Sequence, residues 1–201
     1  MKKLLTPLLV LTLAGCQQAS TEAVPQLEVD VTENEETAIE LEVVEPKKKQ
    51  WTCPTCNPNE QHVLRELQDS AGITDKNALA AILGNIKQES KFLPNICEGG
   101  ARVPYHHCHS GGYGLIQWTT KGRYDGLGFF ARKYGCDPST LECQTRYLIN
   151  ENQFQKVLPE FKNPGFGIHQ YMVPSYYWLG WGIKGPRVTY SHQYAAQLVM
   201  G

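Results

Sequence analysis

From Gln17 to Gln50 the chain has no aromatic side chain, and it carries nine acids (Glu22, Glu28, Asp30, Glu33, Glu35, Glu36, Glu40, Glu42 and Glu45) against Lys47, Lys48 and Lys49. Such a segment cannot bury enough apolar surface to offset the entropy lost on ordering it. Folding is therefore confined to the residues after Gln50, and residues 16–50 read as an acidic, self-repelling, disordered tether. The stretches "LEVDV" and "IELEV" do alternate, so a short strand pairing is the competing reading. Residues 51–201 hold 14 Lys and Arg against 11 Asp and Glu, a net +3 that the tether hides within the whole-chain value of −1. That length suffices for one core. The mild positive balance suits an anionic polymer and falls well short of what nucleic acid requires.

The first residues read as an export signal. Lys2 and Lys3 precede a short, mostly apolar run from Leu4 to Leu13, which is too short to remain as a bilayer span. "LAGC" comes after it, Leu13 to Cys16, and it resembles the lipobox of bacterial lipoproteins. The resemblance implies cleavage after residue 15 and lipidation of Cys16. More than one acyl chain gives stable anchoring. The expected location is the cell envelope, facing the periplasm. Gln17 rather than Asp follows the cysteine, so the outer membrane is favoured in a Gram-negative host. An ordinary secretory signal with an incidental cysteine is the plainer alternative.

Beyond Cys16 six cysteines remain: Cys53, Cys56, Cys97, Cys108, Cys136 and Cys143. An even number in an exported chain points to disulfides. Proximity favours Cys97–Cys108 and Cys136–Cys143, which leaves Cys53 with Cys56. The competing reading is zinc, because "CPTC" has ligand spacing and "YHHCHS" gathers His106, His107 and His109 around Cys108. The second Cys-x-x-Cys of a zinc site is missing, so no metal and no cofactor are expected.

The stretch "NALAAILGNIKQESKF", Asn77 to Phe92, carries the first chemical signal. Leu79, Ile82, Leu83 and Ile86 recur at amphipathic-helix spacing. Thr74 or Asp75 can cap the start, and Pro94 limits the end. Glu89 falls on or beside the apolar stripe in the last turn. Partial burial and the negative end of the helix dipole both disfavour its charge, so both raise its pKa. A carboxyl group kept protonated near neutral pH is what a general acid requires. The plain alternative is a helix-end glutamate paired with Lys87, Lys91 or Arg102.

Next comes "GGYGLIQWTTKGRYDGL", Gly111 to Leu127. Its glycines allow tight turns and close backbone approach. An amide beside an indole, Gln117 and Trp118, suits a carbohydrate site, where the amide meets hydroxyl and N-acetyl groups and the ring covers an apolar sugar face. Taken alone, the stretch reads rather as a β-hairpin with Trp118 in the core and Gln117 exposed. The cluster "GIHQYMVPSYYWLGWG" near the C-terminus can line a groove or pack the last helices.

A helix closing on "ES", a loop, and then "GGYGLIQWT" with the arginine of "KGRYDGL" together resemble the phage tail lysozyme family of the lysozyme-like superfamily. Goose-type lysozymes and soluble lytic transglycosylases are related. The resemblance is strong over Ala78–Phe92 and Gly111–Arg123 and weak beyond about Leu148. It implies a mainly α fold (α+β) with helical lobes and a small β-hairpin at the cleft. It also implies that Glu89 is the catalytic acid, with Ser90, Gly114, Leu115 and Gln117 at family positions. Tyr113 and Trp118 join them as candidate substrate contacts. The implied substrate is peptidoglycan, cut between N-acetylmuramic acid and N-acetylglucosamine by a monomer. The cation formed is trapped either by water, directed by a second acid such as Asp125 or Glu98, or by the sugar's own 6-hydroxyl, giving a 1,6-anhydro product. Rival readings are a non-catalytic glycan-binding lipoprotein and a zinc-stabilised envelope protein. Tyr190 and Tyr194 are candidates for the late tyrosine of transglycosylases.

Overall fold

A computed structural model describes residues 49–201, Ser110 excepted. The expected signal, Cys16 and nearly all of the tether lie outside the described residues. The described part is mostly helical. Seven α-helices run in order: α1 (Pro58–Asp69), α2 (Lys76–Ser90), α3 (Lys121–Tyr134), α4 (Leu141–Asn150), α5 (Asn152–Lys162), α6 (Ile168–Leu179) and α7 (Arg187–Gln197). A two-stranded antiparallel sheet pairs β1 (Trp51–Thr52) with β2 (Val199–Met200) and so joins the two ends of the domain. At the glycine-rich loop, where the resemblance implies a hairpin, the backbone makes two isolated antiparallel bridges, Ile96 with Arg102 and Cys97 with Tyr113.

Local chemistry explains the helix starts. Asn57 and Glu60 form a reciprocal capping box on α1, with Pro58 in the first turn. Asp75 caps α2, accepting the amides of Asn77 and Ala78. Leu79, Ile82, Leu83 and Ile86 are fully buried, as their spacing predicts. The far end of α2 is abrupt. Lys91 and Phe92 both take left-handed backbone angles (φ 53° and 61°), and the Phe92 amide donates to Ser90 Oγ at 3.1 Å.

Helix α2 is the central strut. It lies against α7, α6, α1 and α5. It comes so close to α7 that a Cβ on Gly84 would fall 2.5 Å from the Ser191 backbone nitrogen. Three disulfides, Cys53–Cys56, Cys97–Cys108 and Cys136–Cys143, brace the loops. All six cysteines are thus committed as the sequence proximity favours. Cys53 and Cys56, bonded to each other, are not zinc thiolates. Among the described residues no cluster of three or more His, Cys, Asp or Glu is arranged to hold a metal ion.

Candidate active site

Glu89 is the penultimate residue of α2 and opens onto a cleft of about 590 Å³. One wall carries Ile116, Gln117, Thr119 and Thr120 from the glycine-rich turn, with Arg123 from the first turn of α3. The other carries Leu179 to Ile183, at and after the end of α6, and Arg187 from the start of α7.

The turn is built by residues that do not face the cleft. Ser90 Oγ donates to the Leu115 carbonyl at 2.7 Å, which ties the turn to the end of α2. Gly114 has φ 72°, and a Cβ there would lie 2.3 Å from Gln144 Oε1. That oxygen accepts the Leu115 amide at 2.8 Å, while Gln144 Nε2 donates to the carbonyls of Pro94 and Pro138. Tyr113 and Leu115 are fully buried, and the Tyr113 hydroxyl donates to the Val103 carbonyl. Gln117 is the expected contact that does line the cleft. It stands at φ 52°, and its Nε2 is spent on the carbonyls of Gly114 and Ile96, while among the described residues no hydrogen bond engages its Oε1.

Trp118 is also fully buried, and its role is structural. Its indole N–H donates to Glu151 Oε2 at 3.2 Å, and the Trp178 indole donates to Glu151 Oε1 at 3.0 Å. Arg123 closes the group with Nε to Oε2 at 3.1 Å and Nη2 to Oε1 at 2.5 Å. A buried carboxylate thus fixes a guanidinium at the cleft wall through a two-pronged contact.

Glu89 meets a second guanidinium. Arg187 Nη2 donates to Glu89 Oε1 at 2.6 Å, with only 5 % of the arginine and 17 % of the glutamate side chain exposed. Nη1 lies 3.3 Å from Asn85 Oδ1 and 3.4 Å from the Asn85 carbonyl. The Trp181 ring covers the guanidinium at 4.6 Å. Burial pushes the Glu89 pKa above its ordinary 4.5, while the Arg187 charge and hydrogen bond, and more weakly the Arg123 charge, pull it down. Burial prevails. A protonated Glu89 keeps the contact, because its carbonyl oxygen still accepts from the guanidinium.

None of the sequence candidates for Glu89's partner pairs with it among the described residues, and Lys91 is exposed just past the end of α2. Lys87 lies 3.7 Å from Glu60 Oε1, and Arg102 donates to Asn95. The two candidate second acids do not line the cleft. Asp125 pairs with Lys121 one helical turn away, and Glu98 accepts the Gly112 amide at 3.1 Å. Tyr194 is buried with its hydroxyl on Glu60 Oε1, and the Tyr190 ring lies beneath Lys87. The histidines at 106, 107, 109, 169 and 192 are exposed. From the C-terminal aromatic cluster Trp181 reaches the cleft, while Trp178 is core.

A model of the family described as phage tail lysozyme matches residues 58–172. The chain belongs to that family. No curated protein and no solved structure shows significant similarity to it. As a phage tail lysozyme its activity is of the lysozyme type, cleavage of peptidoglycan. The matched stretch contains Glu89, Gln117, Arg123 and Glu151, whereas Trp181 and Arg187 lie beyond it.

Proposed function

We propose that this phage tail lysozyme cleaves the β-1,4 bond between N-acetylmuramic acid and N-acetylglucosamine, with Glu89 as general acid. The observation that carries the reading is an enclosed carboxyl group, its pKa raised by burial, at the wall of a cleft large enough for sugar rings. Glu89 gives its proton to the glycosidic oxygen, and the C1–O bond breaks with oxocarbenium character. Lysozymes in general illustrate the same logic, one carboxyl group kept protonated by an apolar pocket.

One observation favours a second fate for the cation. Among the described residues Glu89 is the sole acid lining the cleft. Attack by the muramic acid 6-hydroxyl needs no second acid, since Glu89, now a carboxylate, takes that proton and a 1,6-anhydro sugar results. For water to attack instead, the hydroxyls of Thr119 and Thr120 and the Gln117 amide would have to orient it. We further propose that lipid on Cys16 anchors the enzyme and that the acidic tether spaces the domain from the membrane. Cys16→Ser should then move the protein from the membrane to the soluble fraction.

Mass spectrometry of products released from purified sacculi tests the chemistry. Loss of Glu89's proton donor should lower release by about 10²- to 10⁴-fold in Glu89→Gln. Reducing ends would assign water as the nucleophile, and products lighter by one water would assign the 6-hydroxyl. Equal release by both proteins would remove Glu89 from the mechanism.

A further inference from the structure

Helix α7 lies wholly beyond the stretch that matches the family, yet it places a charged group against the residue assigned as acid. We infer that Arg187 is a positioning residue for Glu89, gripping one carboxyl oxygen so that the proton for the glycosidic bond is carried on the other. The inference rests on Glu89 being the general acid.

A guanidinium has five N–H donors and no acceptor, and it stays charged in a protein. An O–H cannot face it. The Glu89 oxygen 2.6 Å from Arg187 Nη2 is therefore an acceptor in both protonation states, and the proton belongs on Oε2. No hydrogen bond among the described residues engages Oε2. Arg187 is itself held on three sides, by Glu89, by Asn85 and by the Trp181 ring, and among the described residues its buried Nε meets no hydrogen-bond partner.

The same contact serves the second half of the step. Once Oε2 has given up its proton, Glu89 is a carboxylate in an enclosed site. Arg187 then supplies a charge-assisted hydrogen bond to it. Among the described residues, the charged groups facing Glu89 are Arg187 from α7 and Arg123 from α3. Lys87, on α2 itself, turns to Glu60 of α1 and to the rings of Tyr190 and Tyr194 on α7. His169 of α6 and His192 of α7 face each other. Arg123 is occupied by Glu151, so Arg187 is the group able to set the proton's position.

The test tracks the Glu89 carboxyl carbon by NMR in ¹³C-labelled full-length protein, with Glu89→Gln identifying the resonance. Arg187→Met should raise the proton affinity of Glu89 at least tenfold, because burial is then unopposed by the nearer cation. Muropeptide release should fall at least tenfold, with the alkaline limb of its pH profile displaced upward. Arg187→Lys should restore most of the titration and little of the rate, since a single ammonium cannot hold Glu89 through one nitrogen and Asn85 through another. If the methionine variant does not fold, Arg187→Gln, which keeps a donor beside Glu89, takes its place. An unchanged Glu89 titration in a folded neutral variant overturns the inference while leaving the acid assignment standing. Full release by Glu89→Gln, alongside a shifted titration, would overturn both.

Discussion

At Glu89 burial outweighs two guanidiniums, and that balance has a thermodynamic signature separate from catalysis. In the unfolded chain Glu89 loses its proton near 4.5, and in the folded chain it holds the proton to higher pH. Between those values the folded state binds more protons, so this group's contribution to stability is full below about 4.5 and is lost as pH rises through the folded pKa. Glutamine does not titrate. The melting temperature of wild type relative to Glu89→Gln should therefore be most favourable near pH 4 and decline as pH rises from there through the folded pKa. A difference that stays flat across that range would put Glu89 in water. The residue itself was legible from spacing, because three positions past Ile86 is the edge of a buried stripe whatever the fold. Its partner was not. Arg187 is 98 positions away, and nothing in "GIKGPRVTY" distinguishes an arginine that is 4 % exposed from one in solvent.

Helices α2 and α7 show why one element was readable and the other was not. The buried residues of α2 are mostly aliphatic, with Asn85 and Ser90 the polar exceptions, and Asp75 caps its start, so its period and chemistry agree. The buried positions of α7, Arg187, Ser191 and Tyr194, also follow helical spacing, but two of the three are polar. A hydrophobicity pattern cannot register such a face. What replaces apolar packing is close approach. Ser191 Oγ bonds back to the Arg187 carbonyl at 2.8 Å, and Gly84 has no side chain to hold the helices apart. Gly84→Ala should gain about 1 kcal/mol of helix propensity. Its Cβ, however, would meet the Ser191 nitrogen at 2.5 Å and Cα at 2.8 Å, atoms that cannot rotate away. Overpacking of this kind costs about 1–3 kcal/mol. We expect a lower melting temperature and a loss of activity larger than the stability loss explains, since displacing α7 draws Arg187 from Glu89. A raised melting temperature with full activity would show that the helices part freely.

Across the whole molecule the cleft depends on long-range polar contacts. The disulfides Cys97–Cys108 and Cys136–Cys143 were legible because each closes a short loop, and the mainly helical class because α2 was strong and the family motifs sat around it. The pairing of β1 with β2 and the carboxylate at Glu151 were not, as each depends on partners far along the chain. Glu151 sits at the junction of α4 and α5 and takes hydrogen bonds from the turn through Trp118, from α3 through Arg123 and from α6 through Trp178. Its side chain is 3 % exposed, and each oxygen accepts from one indole and one guanidinium N–H, so loss of the charge would leave the two donors on one oxygen without an acceptor. Glu151→Gln keeps the volume, but its NH₂ must oppose an N–H, and Arg123 keeps an unbalanced charge. Breaking a buried pair costs about 3–5 kcal/mol, and about 3 is expected here because Arg123 retains 21 % exposure. Urea unfolding reads the loss as an earlier midpoint at unchanged slope. The variant should also lose activity under conditions where it remains folded, because Arg123 is then free to swing at the cleft wall. A midpoint shift worth less than about 1 kcal/mol would mean that the two indoles and the guanidinium find water instead, and that apolar packing alone holds the wall of the cleft in place.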